Sequence, residues 1–590
     1  MTKGFKHGLD KKNKSVFKRH LLRFIIVAIL LMTVLTVLLW RLFYLETTDK
    51  ALLSKMANQE SRRVISIDSP RGTIYDRNHK PLAVTTNLYR VIVDIKVLKG
   101  YPQQYQKLSS LAIAGLRLSD IDSLIKKYPN KRYYIATQFL LPEAAKALKM
   151  LHIPGIHVEQ QNRSYYPEGE SIASLIGFSD FNNNGQSGLE LSFDNLLRAK
   201  DHKLKLITDR EGQAIRYSNH PDYPNSKDLT LTIDSTIQKF AYQALAQGVH
   251  NADAIMGTAV VIDPGTGEIL AAASYPSFNP NIFSDRTGAN VKAGALIDTF
   301  EPGSTIKPFI IAQALSSGKY TPDSLIDTNP GYYYIGHNRI RDDANFGEIS
   351  LTEILEKSSN VGVSKVALTL NRQKLYQFFT ALGFGQPSPL NFPLATNGIL
   401  PDLSNLGKFE FATFSFGYAM TASTVQLAHA YSIFANDGKL CPLTLTLPQA
   451  PIQCRQIIPA DIAHQVLTML NSVVSIHGTG ILANIPGFEV AGKTGTSHRV
   501  ANGQFLKNSY NAIFVGIAPL RNPRLVIAVW IDDPKKNHFY QFGGVSAAPI
   551  FAQIAKDSLE YLGIPYQQPL SQYKLYHKNQ RWLMQVIEDN

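Results

Sequence analysis

The chain has 590 residues, 44% of them hydrophobic and 18% charged, and its formal net charge is +14. This length exceeds one ordinary hydrophobic core, so two or more domains are expected. The composition is typical of folded globular proteins and excludes a disordered or fibrous chain. The positive charge would suit nucleic-acid binding, but half of it lies in residues 1–23, which hold eight Lys or Arg residues and one acidic residue. We therefore expect no nucleic-acid partner.

A mostly apolar, uncharged run follows this basic segment from Phe24 to Trp40 and resumes after Arg41 as far as Leu45. About 20 such residues span a bilayer, so residues 24–45 are predicted to form a single transmembrane anchor. The positive-inside rule keeps residues 1–23 in the cytoplasm and the rest of the chain across the membrane. A cleaved signal peptide is the alternative, but the run is longer than a usual signal core and no small-residue cleavage site follows it.

The chain beyond the anchor changes its pattern near residue 226. Residues 46–225 mix short β-branched runs with helical segments and turns, which predicts an irregular α+β domain. Residues 226–566 start with an alternating strand and a helix, continue with an apolar hairpin through the turn Asp263–Gly267, and return to strands after a helical middle. This order predicts an antiparallel sheet covered by helices, and an α+β fold overall. Residues 567–590 form a tail without a readable motif.

The two cysteines, Cys441 and Cys454, lie close in sequence and, on the predicted topology, in an oxidising compartment. The alternating, Pro-rich segment between them favours a hairpin closed by a disulfide, and two unrelated buried thiols are the equal alternative. No Cys/His group has the spacing of a metal site, so no metal is expected.

Three short motifs stand in one order within residues 226–566. They are Ser304-Thr305-Ile306-Lys307, Ser358-Ser359-Asn360 and Lys493-Thr494-Gly495-Thr496. Each is weak alone, because a chain of this length contains S-x-x-K by chance and S-x-N is equally a helix cap. Together they form the S-x-x-K, S-x-N and K-T-G set of penicillin-recognising serine enzymes.

The S-x-x-K spacing has a chemical reason. Positions i and i+3 share a helix face, so Lys307 can reach the Ser304 hydroxyl. A serine needs an adjacent base, and a lysine serves when burial or a cation such as Lys493 lowers its pKa. Ser304 is therefore the predicted nucleophile and Lys307 its general base. Pro308 cannot donate to the Ser304 carbonyl, which predicts a widened first helical turn.

The other two motifs supply polar groups around this pair. Ser358 offers a hydroxyl that relays a proton, and Asn360 an amide that holds a substrate carbonyl or the lysine amine. Lys493 offers a cation for a substrate carboxylate. The N–H groups of Ser304 and Thr496 can form an oxyanion hole.

The K-T-G motif is also the predicted substrate-binding strand. Thr494 and Thr496 supply hydroxyls, and Gly495 permits close backbone approach of the substrate. His498, two residues further on, is interpreted as an exposed histidine of a strand turn rather than a substrate contact.

Further segments match one family over nearly the whole chain. In the first half they are Arg71–Asn78, Arg163–Pro167, Gly185–Glu190 and Asp209–Gly212; in the second they are Ala259–Ala272, Phe300–Gly303, Ser415–Tyr418 and His477–Gly480. With the three motifs, they resemble the class B penicillin-binding proteins. Phe300-Glu301, Asp533-Pro534 and Gly543–Pro549 resemble the division-specific, FtsI-type branch of that family.

The resemblance implies a peptidoglycan D,D-transpeptidase in septal wall synthesis. Ser304 would attack the D-Ala-D-Ala carbonyl of a stem peptide and expel D-alanine, and an amine of a neighbouring stem would resolve the acyl-enzyme. β-Lactams would stall at the acyl stage. The resemblance further implies a non-catalytic, dimerisation-like pedestal over residues 46–225, a transpeptidase domain related to serine β-lactamases, and no cofactor. The implied partners are a SEDS-type glycosyltransferase and other septal membrane proteins.

Other functions remain as alternatives. One is an elongation-specific transpeptidase. A β-lactamase or D,D-carboxypeptidase is a second, opposed by the anchor and pedestal. A silent scaffold or β-lactam sensor is a third, opposed by the intact Ser304, Lys307 and Lys493.

Overall fold

The computed structural model describes residues 6–50, 55, 62–67, 70–111, 113, 116–198, 202–208, 214–217, 226–501, 503–568, 580, 583–585 and 587. The chain divides into two compact units, one of residues 1–69 and 200–224 and the other of residues 70–199 and 225–590. The matched segment Asp209–Gly212 and most of the tail lie outside the described residues.

The strands run in chain order as follows: β1 (Arg62–Ile67), β2 (Ile74–Tyr75), β3 (Pro81–Val93), β4 (Tyr134–Leu140), β5 (Ile156–Tyr165), β6 (His202–Thr208), β7 (Ala214–Tyr217), β8 (Leu229–Thr230), β9 (Met256–Ile262), β10 (Ile269–Tyr275), β11 (Leu325–Asp327), β12 (Tyr332–Ile335), β13 (Asn338–Arg341), β14 (Glu348–Ser350), β15 (Lys439–Leu440), β16 (Arg455–Gln456), β17 (Ala491–Ala501), β18 (Gln504–Ala518) and β19 (Leu525–Asp532).

The α-helices run in chain order as follows: α1 (Lys6–Thr47), α2 (Ile95–Leu98), α3 (Pro102–Tyr105), α4 (Leu118–Lys127), α5 (Pro142–Met150), α6 (Glu170–Ile176), α7 (Gly188–Ser192), α8 (Asp194–Leu197), α9 (Ser235–Asn251), α10 (Gly294–Ile297), α11 (Lys307–Ser316), α12 (Leu351–Glu356), α13 (Asn360–Ala367), α14 (Arg372–Ala381), α15 (Lys408–Phe414), α16 (Thr424–Ala435), α17 (Ala460–Val473), α18 (Gly543–Ser546) and α19 (Ala548–Tyr561). Short 3₁₀ turns cover Gln106–Ser110, Phe283–Asp285, Ala289–Val291, Gly303–Ile306 and Ile481–Ala483.

The described part of the first unit includes α1 and the antiparallel sheet β1-β6-β7. Within α1, the segment Phe17–Thr47 is long and apolar enough to cross a membrane. Its polar hydroxyls are satisfied internally, because Thr33 and Thr36 each donate to the carbonyl four residues earlier. This agrees with the single-pass anchor predicted over residues 24–45.

The second unit begins with a sheet in the order β4-β3-β2-β8, with β5 also paired to β3. Its buried side chains, such as Val91 and Val93, pack with α4 and α5 through Ile121 and Leu148. Strand β3 ends at Val93 because Asp94 caps α2 by accepting from the Val97 N–H.

The family segments in residues 70–199 meet at a buried ion pair. Arg71 donates from Nε to the Glu190 carboxylate at 2.5 Å and from Nη1 to Asp194 at 2.6 Å, and Arg71 and Glu190 are both almost fully buried. The Tyr166 hydroxyl donates to Glu190 at 3.1 Å. The backbone N–H of Tyr166 donates to the Asn281 side chain, and that side chain donates to the Tyr166 carbonyl. These two bonds connect the family segments to residues 226–566.

The main sheet of the second unit has the order β10-β9-β19-β18-β17 and is antiparallel throughout. Strand β9 is buried on both faces, because successive side chains point to opposite sides. Val260 and Ile262 pack with the helical middle, and Ala259 and Val261 pack with α9 and α19. The predicted α+β fold, the hairpin β9–β10 and the helix-covered antiparallel sheet are confirmed.

Cys441 and Cys454 form a disulfide. The antiparallel pair β15–β16 lies directly outside the two cysteines and closes the loop, where Lys439 pairs with Gln456. The loop between the cysteines crosses to two other parts of the domain, because Leu231 pairs with Thr446 and Glu268 with Thr444. The structure therefore selects the disulfide over two separate thiols.

Replacing both cysteines with alanine is expected to lower the free energy of unfolding by about 3 kcal/mol, because the bond closes a short loop of 13-residue separation. Thermal unfolding of the double variant, beside the wild type with and without reductant, measures this. A wild type that melts at the same temperature in both conditions would contradict it.

Candidate active site

Ser304 lies in a 3₁₀ turn, Gly303–Ile306, that leads into α11. In such a turn, positions i and i+3 eclipse each other, so Ser304 and Lys307 share one face as predicted. The predicted widened turn is wrong. Pro308 occupies the second position of α11, where an N–H has no intrahelical acceptor, so the turn before it tightens instead.

Two close backbone contacts hold this turn. Gly417 has φ +91°, and a Cβ there would lie 2.2 Å from the Gly303 carbonyl oxygen, so only glycine fits. The buried Tyr431 hydroxyl donates to the Thr305 carbonyl at 2.6 Å. The matched segment Ser415–Tyr418 therefore packs against the backbone of the Ser304 turn through Gly417.

Lys307 is fully buried and its amine points at the S-x-N motif. Nζ donates to Asn360 Oδ1 at 2.8 Å, to Ser358 Oγ at 3.2 Å, and to the Ser358 carbonyl. Burial is the largest effect and lowers the pKa of Lys307 to about 7, while Asp342 and Asp343 raise it. The Ser304 hydroxyl has no hydrogen bond to any described residue, and catalytic contacts are often long before substrate binds.

The S-x-N motif joins α12 to α13, and its middle residue makes the cap. Ser359 accepts from the Gly362 N–H at 2.8 Å as the N-cap of α13. Ser358 has φ +59°, a left-handed conformation that non-glycine residues rarely adopt. The cap interpretation therefore applies to Ser359, and Ser358 and Asn360 are free to point toward Lys307.

The K-T-G motif lies on β17, the edge strand of the main sheet. Because side chains alternate along a strand, Thr494, Thr496 and His498 share one face. Thr494 and Thr496 line a groove with Ser304. Gly495 faces the other way, where a Cβ would lie 2.8 Å from the Thr305 side chain, so the absence of a side chain there admits the Ser304 turn.

Lys493 is fully buried beneath this groove. Its Nζ donates to Ser358 Oγ at 3.0 Å and to the Thr494 carbonyl at 3.2 Å. Burial and the nearby Lys307 lower the pKa of Lys493 well below its usual range. Lys493 is not among the described residues that line the groove, so the structure does not show the direct access to a substrate carboxylate that the sequence suggested.

The groove has a volume of about 440 Å³. Its lining includes Ser304, Ser358, Asn360, Thr494 and Thr496, together with Asp343, Tyr418, Thr479, Ser497, His498, Tyr510, Phe542 and Gly543–Val545. The residues of all three motifs therefore meet at one site.

Sequence reasoning missed two polar groups here. His498 is part-buried in the groove wall against the Tyr510 ring, 4.7 Å between centroids, and is not an exposed turn residue. The alternation of side chains along the strand, counted from Thr494 and Thr496, predicts the position of His498 in the groove wall.

Glu301 is the second of these polar groups. Burial raises the pKa of Glu301 to about 7, although the Ala419 N–H donates to its Oε1 at 3.3 Å.

Comparison with known proteins agrees with this geometry. The family pattern of the Penicillin binding protein transpeptidase domain matches residues 257–556, and that of the Penicillin-binding Protein dimerisation domain matches residues 66–231. The chain belongs to the penicillin-binding protein family. The predicted resemblance to the class B penicillin-binding proteins is confirmed.

Relatives of this penicillin-binding protein match it nearly end to end. The probable peptidoglycan D,D-transpeptidase PbpC of Pseudomonas aeruginosa is 36% identical over 92% of this chain and 96% of its own length. The peptidoglycan D,D-transpeptidase FtsI of Escherichia coli (strain K12) is 34% identical over 92% of each chain.

Solved structures match the fold as well. The TP domain of Burkholderia pseudomallei penicillin-binding protein 3 is 37% identical, covers 59% of this chain and 100% of its own, and gives a TM-score of 0.53. A peptidoglycan synthetase from Bifidobacterium adolescentis, 24% identical, covers 86% of this chain and 98% of its own with a TM-score of 0.66, and supports the fold alone.

The rate of acylation by a fluorescent penicillin is expected to rise from pH 6 to pH 8, with its midpoint near 7. Neutral Lys307 is the form that can accept a proton, and burial brings its pKa to about 7. Second-order rate constants across this range measure the effect, with circular dichroism to show that the fold persists. A flat profile would exclude Lys307 as the base.

Glu301→Gln is expected to raise the melting temperature at pH 8 more than at pH 5. The Glu301 carboxyl has a higher pKa in the folded protein than in the unfolded chain. The free energy of unfolding therefore falls as the pH rises from about 4.5 to 7, and it stays at the lower value above pH 7. Glutamine removes this cost, on the order of 1 kcal/mol after solvent screening, and keeps the acceptor for the Ala419 N–H. Scanning calorimetry at both pH values tests it; equal shifts would contradict the assignment.

Proposed function

We propose that this chain is a membrane-anchored peptidoglycan D,D-transpeptidase of cell division that forms an acyl-enzyme on Ser304. The observation that carries the proposal is the convergence of three distant motifs on one hydroxyl: the amines of Lys307 and Lys493 both donate to Ser358 Oγ beside the Ser304 turn. The FtsI relative supports the division role.

In the acylation half, Ser304 Oγ attacks the carbonyl carbon of the D-Ala-D-Ala bond and gives its proton to Lys307. The N–H groups of Ser304 and Thr496 stabilise the oxyanion. The close packing of the two backbones supports this role, because a Cβ on Gly303, the residue before Ser304, would lie 2.8 Å from the Thr496 carbonyl oxygen. Ser358 passes the proton from Lys307 to the leaving D-alanine amine, and the C–N bond breaks.

The remaining motif residues hold the participants. Asn360 orients Lys307 through its 2.8 Å hydrogen bond. The hydroxyls of Thr494 and Thr496 bind the terminal carboxylate of the donor peptide, and Lys493 positions the Ser358 hydroxyl through its 3.0 Å hydrogen bond. Gly495 gives this strand its close approach to the Ser304 turn.

In the second half, an amine of a neighbouring stem peptide attacks the ester carbon, and Ser304 leaves with its proton restored. A β-lactam follows the first half and stalls in the second. No cofactor takes part in this scheme.

The proposed topology places residues 1–23 in the cytoplasm, 24–45 in the inner membrane, and the pedestal (46–225), the transpeptidase domain (226–566) and the tail (567–590) in the periplasm. The basic segment before the anchor and the disulfide support this orientation. The apolar side chains exposed along α1 suit helix contacts with a SEDS-type glycosyltransferase and other divisome membrane proteins.

Ser304→Ala is expected to abolish covalent labelling of the protein by a fluorescent penicillin. Ser316→Ala is the matched control, because Ser316 and Lys319 repeat the S-x-x-K spacing at the exposed end of α11. Peptide mass spectrometry locates the adduct, and a label that persists for many minutes disfavours a β-lactamase.

A wild-type adduct on another residue would overturn the nucleophile assignment. Absence of any adduct would favour the scaffold alternative. Release of D-alanine from a pentapeptide without cross-linked product would favour a carboxypeptidase.

A further inference from the structure

Two adjacent aspartates follow the hairpin β12–β13, and the first fixes the backbone of the second. Asp342 is buried, and its carboxylate accepts from Ser359 Oγ at 2.6 Å and from the N–H groups of Asn360 and Val361 at 2.5 and 3.0 Å. These bonds tie the end of the hairpin to the S-x-N motif.

Asp343 points the other way, into the groove. It is exposed and is the one acidic side chain among the described residues that line the groove around Ser304 and Asn360. It forms no ion pair with any residue in the described part of the chain. Its charge nevertheless acts on the site, because it raises the pKa of Lys307.

The charges around the groove are therefore unevenly arranged. Among the described residues that line the groove, Thr494 and Thr496 offer hydroxyl donors to an anionic group, the donor carboxylate. Asp343 is the one carboxylate among them, and an amine substrate is the one cationic group that the proposed reaction requires. An ammonium ion and an unpaired carboxylate are complementary in charge and in hydrogen bonding.

We propose that Asp343 binds the ammonium group of the acceptor stem peptide and so selects an amine over water in the second half-reaction. The inference rests on the proposed transpeptidase function and adds the acceptor side of the same site. Two other carboxylates are close but unsuited, because Asp342 is already saturated and Oε2 of Glu301 is buried from solvent.

The step balances as follows. The bound ammonium gives one proton to Lys307 and becomes a neutral amine. Its nitrogen attacks the ester carbon, the new C–N bond forms, and the bond between that carbon and Ser304 Oγ breaks. The second proton of the nitrogen passes to Ser304, which restores the hydroxyl, and the proton on Lys307 is released to water.

Cation binding at Asp343 also keeps Lys307 in the neutral form, which is the form that can accept this proton. Lys307 is flanked by Asp342, Asp343 and Lys493, and the two carboxylates raise its pKa. A cation on Asp343 offsets one of those charges, so a larger fraction of Lys307 is neutral when the acceptor arrives.

The test compares Asp343→Asn with Asp343→Glu, which keeps the charge, and with Asp323→Asn, a control at another exposed aspartate. Each variant is acylated with a thioester analogue of the donor peptide at pH 8. The acyl-enzyme is then offered D-alaninamide, of which about half is the ammonium form at pH 8, or hydroxylamine, which is neutral there, and the ratio of aminolysis to hydrolysis is measured.

For Asp343→Asn we expect the D-alaninamide ratio to fall at least about tenfold through a higher acceptor KM, equivalent to about 1.4 kcal/mol. The hydroxylamine ratio at pH 8 should stay within about twofold, because hydroxylamine is neutral and gains nothing from the charge of Asp343. Asp343→Glu should recover part of the loss. The penicillin acylation profile should also shift to lower pH, since Lys307 loses a neighbouring negative charge.

An unchanged D-alaninamide ratio would overturn the inference while leaving the transpeptidase proposal intact. An equal fall with both amines would assign Asp343 a structural role instead. A wild type that is not acylated at all would refute the proposed function itself, which is a separate outcome.

Discussion

The site depends on two lysine amines buried around a single hydroxyl. Lys307 and Lys493 are fully buried, and both donate to Ser358 Oγ. Two ammonium ions so placed repel each other and lose their hydration, so the neutral form of each gains. That favours a base beside Ser304. Ser358 itself has a left-handed backbone conformation that non-glycine residues rarely adopt. The strain is maintained by Asp342 and Ser359, which fix the start of α13.

The pedestal also contains charged groups buried in its interior. Arg71 and Glu190 form a buried ion pair in which further hydrogen bonds satisfy both groups. Loss of one partner leaves an uncompensated charge, which costs more than the pair contributes. The Arg71–Glu190 pair therefore fixes how these segments, which are distant in sequence, are arranged around the Arg71 side chain.

The motifs predicted which side chains meet better than they predicted the local backbone. Residue type and spacing were enough to bring Ser304, Lys307 and Ser358 to one site, because the hydrogen-bonding capacity of a side chain follows from its residue type. The tight 3₁₀ turn before Pro308 depends on packing against Gly417, which sequence spacing does not reveal.

The open groove raises the question of how an acyl-enzyme avoids hydrolysis. Water is small, neutral and abundant, so a groove that admits a peptide also admits water. Transfer to an amine then requires that the enzyme hold the amine close to the ester carbon for longer than it holds water there. The motif residues cannot supply it, because none of them carries a negative charge that would attract an ammonium ion. The Asp343 carboxylate in the groove lining carries such a charge, so the proposed reaction binds the donor and the acceptor at separate places.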